Sequence, residues 1–172
     1  YRTPFVSGKD SLNNQLRYTD PATGRERLIE IPPTLPITGI GIVPDTGRCI
    51  TLDAKRAGNL LLLVGPTTAD FGGSHLQQIA PGLEGSPVPR TDLGLGPRAA
   101  RAVHALIGAG LVKSAHDCSD GGLLPAIAEM LIAAADGLSP IGADLHLSGV
   151  HSDPVAAAFA ETPSRYILAV AA

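Results

Sequence analysis

The 172-residue chain has no tryptophan, only three phenylalanines and three tyrosines, two cysteines and a single methionine. With aromatics at 3%, the rings on which bases or sugars could stack are too few, which argues against a single-stranded nucleic-acid platform. The apolar share of 44% comes mostly from Ala, Leu, Ile and Val, so the core should be aliphatic. Positive charge is not in excess either. Thirteen Lys and Arg face sixteen Asp and Glu, a net charge of -3, and no basic stripe tracks a phosphate backbone, so nucleic acid is not an expected partner. Cys49 and Cys118 are too few for a disulfide scaffold and too far apart for a zinc pattern. This cysteine usage points to a reducing compartment and is read as cytoplasmic. No apolar run approaches the roughly 20 residues that span a bilayer, and no signal-peptide pattern is present, so no membrane partner is expected.

What remains is enough for a real core: one ordinary domain, or one domain carrying part of another. The chain starts at Tyr1 without Met and ends on the apolar run RYILAVAA, as a piece of a longer protein would. Pro4 to Val6 reads as a short extended stretch, and the charged segment Arg17 to Glu30, with Pro21 and Gly24, as a surface loop or weak hairpin. Alternating apolar residues and glycines between prolines predict a strand within 32–45, and RCITLD another over 48–53. The continuous run NLLLLVG, 59–65, predicts a strand buried on both faces. Residues 81–97, rich in Pro and Gly, read as loop.

GPRAARAVHALIGAGL predicts an amphipathic helix with Ala99, Val103, Leu106 and Ile107 inward, Pro97 in its first turn and Gly110 as its stop. LVKSAHD predicts a short strand. A second helix starts near Gly121, with Leu123, Leu124, Ile127, Met130, Leu131 and Ala134 at helical spacing, and ends at Asp136-Gly137. Strands are also expected over 141–147 and 165–171. Strands and helices alternate, so the class is α/β or α+β.

The densest chemistry lies in SAHDCSDGG, 114–122. Asp120 or Ser119 can cap the helix that follows. The partial positive charge of the helix N-terminus favours an anion, and Gly121-Gly122 allows a phosphate close to the backbone. Asp117, at a strand end beside that site, suits Mg²⁺, which takes hard oxygen ligands and bridges carboxylate to phosphate. The same residues also suit an ordinary capped glycine turn, and His116 and Cys118 read as structural. SGKDSLNN, 7–14, is similar: Gly8 permits backbone approach, Lys9 can neutralise phosphate, Asp10 could support a metal, and Ser11, Asn13 and Asn14 can hydrogen-bond a polar ligand. It lacks P-loop spacing and also suits a plain turn. FGGSH, 71–75, is a third glycine loop, or a strand-to-helix turn.

In order along the chain, SGKDSLNN, IPPTLPITGIGIV, GGSHL, SAHDCSDGGLLPAIAEM and SRYILAV resemble phosphoribosylformylglycinamidine synthase, an amidotransferase family of purine biosynthesis. The resemblance implies an aminoimidazole ribonucleotide synthetase-type C-terminal α/β module over 51–172, a mixed sheet with packed helices. Residues 1–50 would be the tail of an ATP-binding N-terminal module. It implies ATP-dependent amidation of formylglycinamide ribonucleotide: ATP phosphorylates the formylglycinamide oxygen, and ammonia displaces the phosphate to give the amidine. Such chemistry asks for phosphate cradling and neutralisation of charge.

By the same resemblance Asp117 is a Mg²⁺ ligand, and Gly8, Ser119, Gly121 and Gly122 contact the nucleotide. Lys9, Ser11, Gly73 and Ser74 contact the substrate. Shorter family members carry Asn-Val where this chain has Lys9-Asp10, whereas longer ones share Gly-Lys-Asp-Ser and have two pseudo-symmetric nucleotide sites, one catalytic and one structural. Expected partners are the ribonucleotide, the rest of the synthetase chain, a glutaminase domain or subunit supplying ammonia, and a second copy through self-association. Neither cysteine has the surroundings of an activated nucleophile, so no glutaminase is expected in this piece. Selenophosphate synthetase, thiamine monophosphate kinase and the hydrogenase maturation factor share the glycine-rich motif but not GKDSLNN. A nucleotide-holding module without turnover is the remaining alternative.

Overall fold

The structure is a computed structural model that describes residues 3–8, 14–32, 36–134 and 140–172, in two compact units, one running to Pro44 and the other from Asp45 to Ala172. In the first unit, β1 (Gln15–Thr19) and β2 (Glu26–Glu30) pair antiparallel, with Gln15 opposite Glu30 and Thr19 opposite Glu26. Asp20 shapes the turn: its carboxylate accepts from Ala22 N at 2.9 Å and its carbonyl from Gly24 N at 2.8 Å. The charged segment is therefore a hairpin. The strand expected within 32–45 does not form over the described residues 36–44. Pro36 and Pro44 lack N–H groups, and among the described residues no strand pairs with the segment; Ile37, Ile40 and Ile42 are exposed.

The second unit is built on β3 (Leu60–Val64), β4 (Val112–Asp117) and β5 (Tyr166–Val170), in the order β3-β5-β4 with both pairings antiparallel. The expectation that β3 is buried on both faces is corrected. It is an edge strand, and Leu60 and Leu62 are 53% and 47% exposed while Leu61 and Leu63 face inward. A continuous leucine run thus reads as doubly buried although only one face has a partner. β5 has the doubly buried role: Ile167 and Ala169 pack with α3 (Leu123–Ala133), and Leu168 packs with Val103 of α2 (Leu95–Gly108). Two helices therefore sandwich the sheet, an α+β arrangement of aliphatic layers.

α2 begins two residues before Pro97, where Asp92 accepts from Gly94 N and Leu95 N at 2.8 Å each, and Gly110 in the left-handed region follows its end. α3 starts at Leu123 rather than Gly121, and its expected stop at Asp136-Gly137 lies outside the described residues. Two other expected strands are absent. Residues 48–53 hold only the end of a 3-10 turn, Thr46–Arg48, and an irregular stretch that gives β4 one backbone bond, Ala115 N to Thr51 O. Residues 141–147 are irregular up to the 3-10 turn Leu147–Gly149; Leu147 and Val150 pack side chains on the α3 cluster without strand pairing. A helix not anticipated, α4 (Pro154–Phe159), begins at an Asp-Pro pair: Asp153 accepts from Val155 N at 2.8 Å, and Pro154 occupies the first turn. Its Ala156, Ala157 and Ala158 are buried. A short α1 (His75–Ile79) follows the FGGS turn.

Candidate functional site

At the C-terminal end of β4 the chain leaves the sheet through Asp117, whose exposed carboxylate accepts from Ser119 Oγ. That hydrogen bond holds the Asp117 carboxyl below the usual carboxylate range, so it is ionised at neutral pH. His116 lies between two acids, with Nδ1 3.3 Å from Asp117 Oδ1 and Nε2 2.6 Å from Glu129 Oε2 on α3. The histidine thereby ties the strand end to the helix, in keeping with a structural hydrogen-bonding role.

The capping expectation is corrected. Neither Asp120 nor Ser119 caps α3; Gly122 occupies the N-cap with φ 87° and ψ -150° and gives no side-chain cap. The Ser119 hydroxyl is turned back to Asp117, and Gly122 N donates to Ser119 O at 3.2 Å. The geometry requires glycine at this position: a Cβ on Gly122 would lie 2.6 Å from Ala160 O and 2.7 Å from Phe159 C. The SDGG loop therefore rests directly on the backbone that leaves α4.

The second glycine loop meets the same backbone. Phe71 is buried against Ala156 and Ala160. Phe71 N donates to Ser86 Oγ and Gly72 N to Pro87 O, both at 2.8 Å, so residues 86–88 fix the loop from behind. Ser74 is buried; its hydroxyl donates to Phe71 O at 2.7 Å and accepts from Gln77 N at 3.2 Å, capping α1. Gly73 is exposed with φ 78° and open space around it.

Between the two loops stands Glu161. Its Oε1 accepts from Gly121 N at 2.8 Å, from His75 N at 2.9 Å and lies 3.2 Å from His75 Nδ1. His75, Asp120 and Glu161 place one ligand-type atom each within 4.8 Å of one another. Because the same Glu161 oxygen already receives donors from both loops, the cluster reads as a junction of loops. Behind it Arg165, 2% exposed, donates Nε to Thr162 O at 3.2 Å, Nη1 to Thr67 Oγ1 at 2.9 Å, and Nη2 to Ala160 O. Burial lowers the pKa of this guanidinium from its usual value. Thr68 N donates to Thr162 Oγ1 at 3.0 Å. These contacts fix residues 160–165 against the turn after β3.

Asp117, Ser119, Gly121 and Gly122 thus lie on one continuous loop, and the Gly73-Ser74 loop joins it through Glu161. Gly8 is exposed in the first unit, while Lys9 and Ser11 lie outside the described residues. Sequence reasoning missed Glu161 and Arg165. The available signal was an acid and an arginine set between the apolar runs AAAFA and YILAV.

The two thiols differ. Cys49 is exposed, whereas Cys118 is buried, and burial pushes its thiol up to about 11. Labelling at pH 8 followed by mass spectrometry should find Cys49 modified and Cys118 spared until the chain is denatured; native labelling of Cys118 would contradict the packing. A pKa raised in the folded state means that the fold binds the extra proton, so stability should fall as pH rises from about 9 towards 11.

An antiparallel sheet between two helices, with two glycine loops meeting at one strand end, defines a small α+β module with an exposed carboxylate at its mouth. The chain belongs to the family described as AIR synthase related protein, C-terminal domain, which it matches over residues 56–172. The fold is similar to solved Thermotoga maritima structures. Phosphoribosylformylglycinamidine synthase II matches at TM-score 0.52 and 17% identity, over 73% of this chain and 20% of that one. PurL complexed with AMPPCP matches at 0.54 and 21%, over 73% and 19%, and PurL complexed with FGAR at 0.53 and 19%, over 73% and 22%. The chain spans about a fifth of the length of these structures. No helix among the described residues is long and apolar enough to cross a membrane.

Proposed function

We propose that this chain is part of the synthetase region of a phosphoribosylformylglycinamidine synthase, an ATP-using ligase that amidates formylglycinamide ribonucleotide in the cytoplasm. The observation that carries this reading is the mouth of α3: an ionised, exposed Asp117 beside two left-handed glycines at a helix N-terminus. The donor set fits Mg²⁺, a hard cation suited to a carboxylate oxygen that is charged at neutral pH. Asp117 would hold the ion, which supplies charge neutralisation at the phosphates of ATP. Ser119 orients the carboxylate through its hydroxyl and is proposed as a nucleotide contact. Gly121 and Gly122 give the loop its positive-φ backbone and are proposed as nucleotide contacts; Gly8 is proposed as one on the sequence resemblance alone.

Gly73, exposed with open space where a side chain would lie, is proposed to face the ribonucleotide, and Ser74 shapes that loop from beneath. Lys9 and Ser11 are proposed as substrate contacts on the sequence resemblance alone. Residues 1–50 form the tail of an ATP-binding module and 51–172 most of the module after it. The rest of the synthetase chain, and a glutaminase domain or subunit delivering ammonia, are the partners. Exposed Ile37, Ile40 and Ile42 offer a surface for self-association.

The test is ADP release by the intact protein carrying this chain, given the ribonucleotide, ATP, Mg²⁺ and ammonia. Turnover that requires the ribonucleotide supports the reading. Tight nucleotide retention without turnover points to a holding module instead. In the same protein, Asp117→Asn should weaken Mg²⁺-dependent nucleotide binding by about tenfold or more, since a full charge at the ion is lost. Equal affinities by titration calorimetry would remove Asp117 from the metal site.

A further inference from the structure

One oxygen of Glu161 reaches both glycine loops. Its Oε1 accepts from the Gly121 amide at 2.8 Å and the His75 amide at 2.9 Å, while His75 Nδ1 lies 3.2 Å away. Two backbone amides from separate loops converge on this one oxygen, so the two loops share a single anchor. The anchor cannot drift. Ala160, just before it, is fully buried and its carbonyl takes Arg165 Nη2; Thr162, just after it, is bonded to Thr68; and a Cβ on Gly122 would strike Ala160 O. A displacement of either loop is therefore felt at a single rigid carboxylate.

We propose that Glu161 is a positioning residue that couples the FGGSH loop to the SDGG loop, so that occupancy of one subsite sets the geometry of the other. This rests on the functional reading above, in which Gly121 and Gly122 face the nucleotide and Gly73 the ribonucleotide. Glu161 contacts neither ligand; it acts through the two amides it holds.

Titration calorimetry on the intact protein measures this coupling. A non-hydrolysable ATP analogue with Mg²⁺ and formylglycinamide ribonucleotide are each titrated alone and then in the presence of the other. In the wild type each ligand should tighten the other by the same factor, within the roughly 5- to 150-fold usual for linked sites. Glu161→Ala should bring that factor close to one, and Glu161→Gln, which keeps an acceptor oxygen at the same reach, should restore most of it. A residue with a merely structural role would lower the melting temperature and leave the factor alone. If Glu161→Ala does not fold, Glu161→Asp, shorter by one methylene, should fold with reduced coupling.

Unchanged coupling in a folded Ala or Asp variant overturns the proposal. Amide hydrogen exchange without ligand reads the clasp directly: His75 and Gly121 should lose protection together in Glu161→Ala, and loss at one alone overturns it. A wild type that binds neither ligand refutes the functional reading and the coupling with it, while exchange still decides whether the clasp exists.

Discussion

Arg165→Ala should destabilise the second unit by about 3–5 kcal/mol, read as a lower urea midpoint at unchanged slope. The guanidinium is 2% exposed and donates to Thr162 O, Thr67 Oγ1 and Ala160 O. Truncation strands Thr162 O and Ala160 O out of water, frees the partly buried Thr67 Oγ1, and leaves a cavity beside β5. An unmade buried hydrogen bond costs about 1–3 kcal/mol, so the two buried ones, together with the cavity, account for the expected loss. Arg165→Lys keeps the charge but not the planar fork that spans three separate acceptors, and it should recover less than half of the loss. A midpoint within experimental error of wild type would mean that the arginine does not fix residues 160–165 against the turn after β3.

Gly122→Ala is the second large effect, expected at about 2–5 kcal/mol. Two terms act together. The residue sits at φ 87°, where an L side chain is strained by about 1–3 kcal/mol, and its Cβ would lie 2.6 Å from Ala160 O and within 2.9 Å of Phe159 backbone. Backbone atoms cannot swing aside as a side-chain tip can. Gly73→Ala is the internal control: φ is similar at 78°, but nothing lies within 4 Å of its Cβ, so only the strain of about 1–2 kcal/mol remains. Thermal unfolding of the two variants side by side separates strain from collision. Equal losses would show that the contact with α4's exit does not constrain the loop.

Local signals carried β4, β5, α2 and α3, because each had a period or a stop that needed no partner: Gly110 after α2, for example, or helical spacing from Leu123 to Met130. The failures were questions of neighbourhood. Whether NLLLLVG is central or at an edge depends on which strand lies beside it, and the alternation in 36–44 forms no strand without a partner. The same holds for the site. Asp117, Ser119, Gly121 and Gly122 were legible because they adjoin in sequence. Glu161 was not, since its partners His75 and Gly121 are distant along the chain and a solitary acid before Thr-Pro carries no pattern.

The order β3-β5-β4 places in the middle of the sheet the strand that leaves the ribosome last of the three. Its register joins Leu60 to Val170, so β3 must wait for nearly the whole unit to be synthesised before it finds any partner. Assembly of this layer is therefore a late, long-range event rather than a progressive one, with the slow closure expected of non-local pairing. Glu161 and Arg165 are made just before that strand, so both glycine loops acquire their anchor in the same closing step.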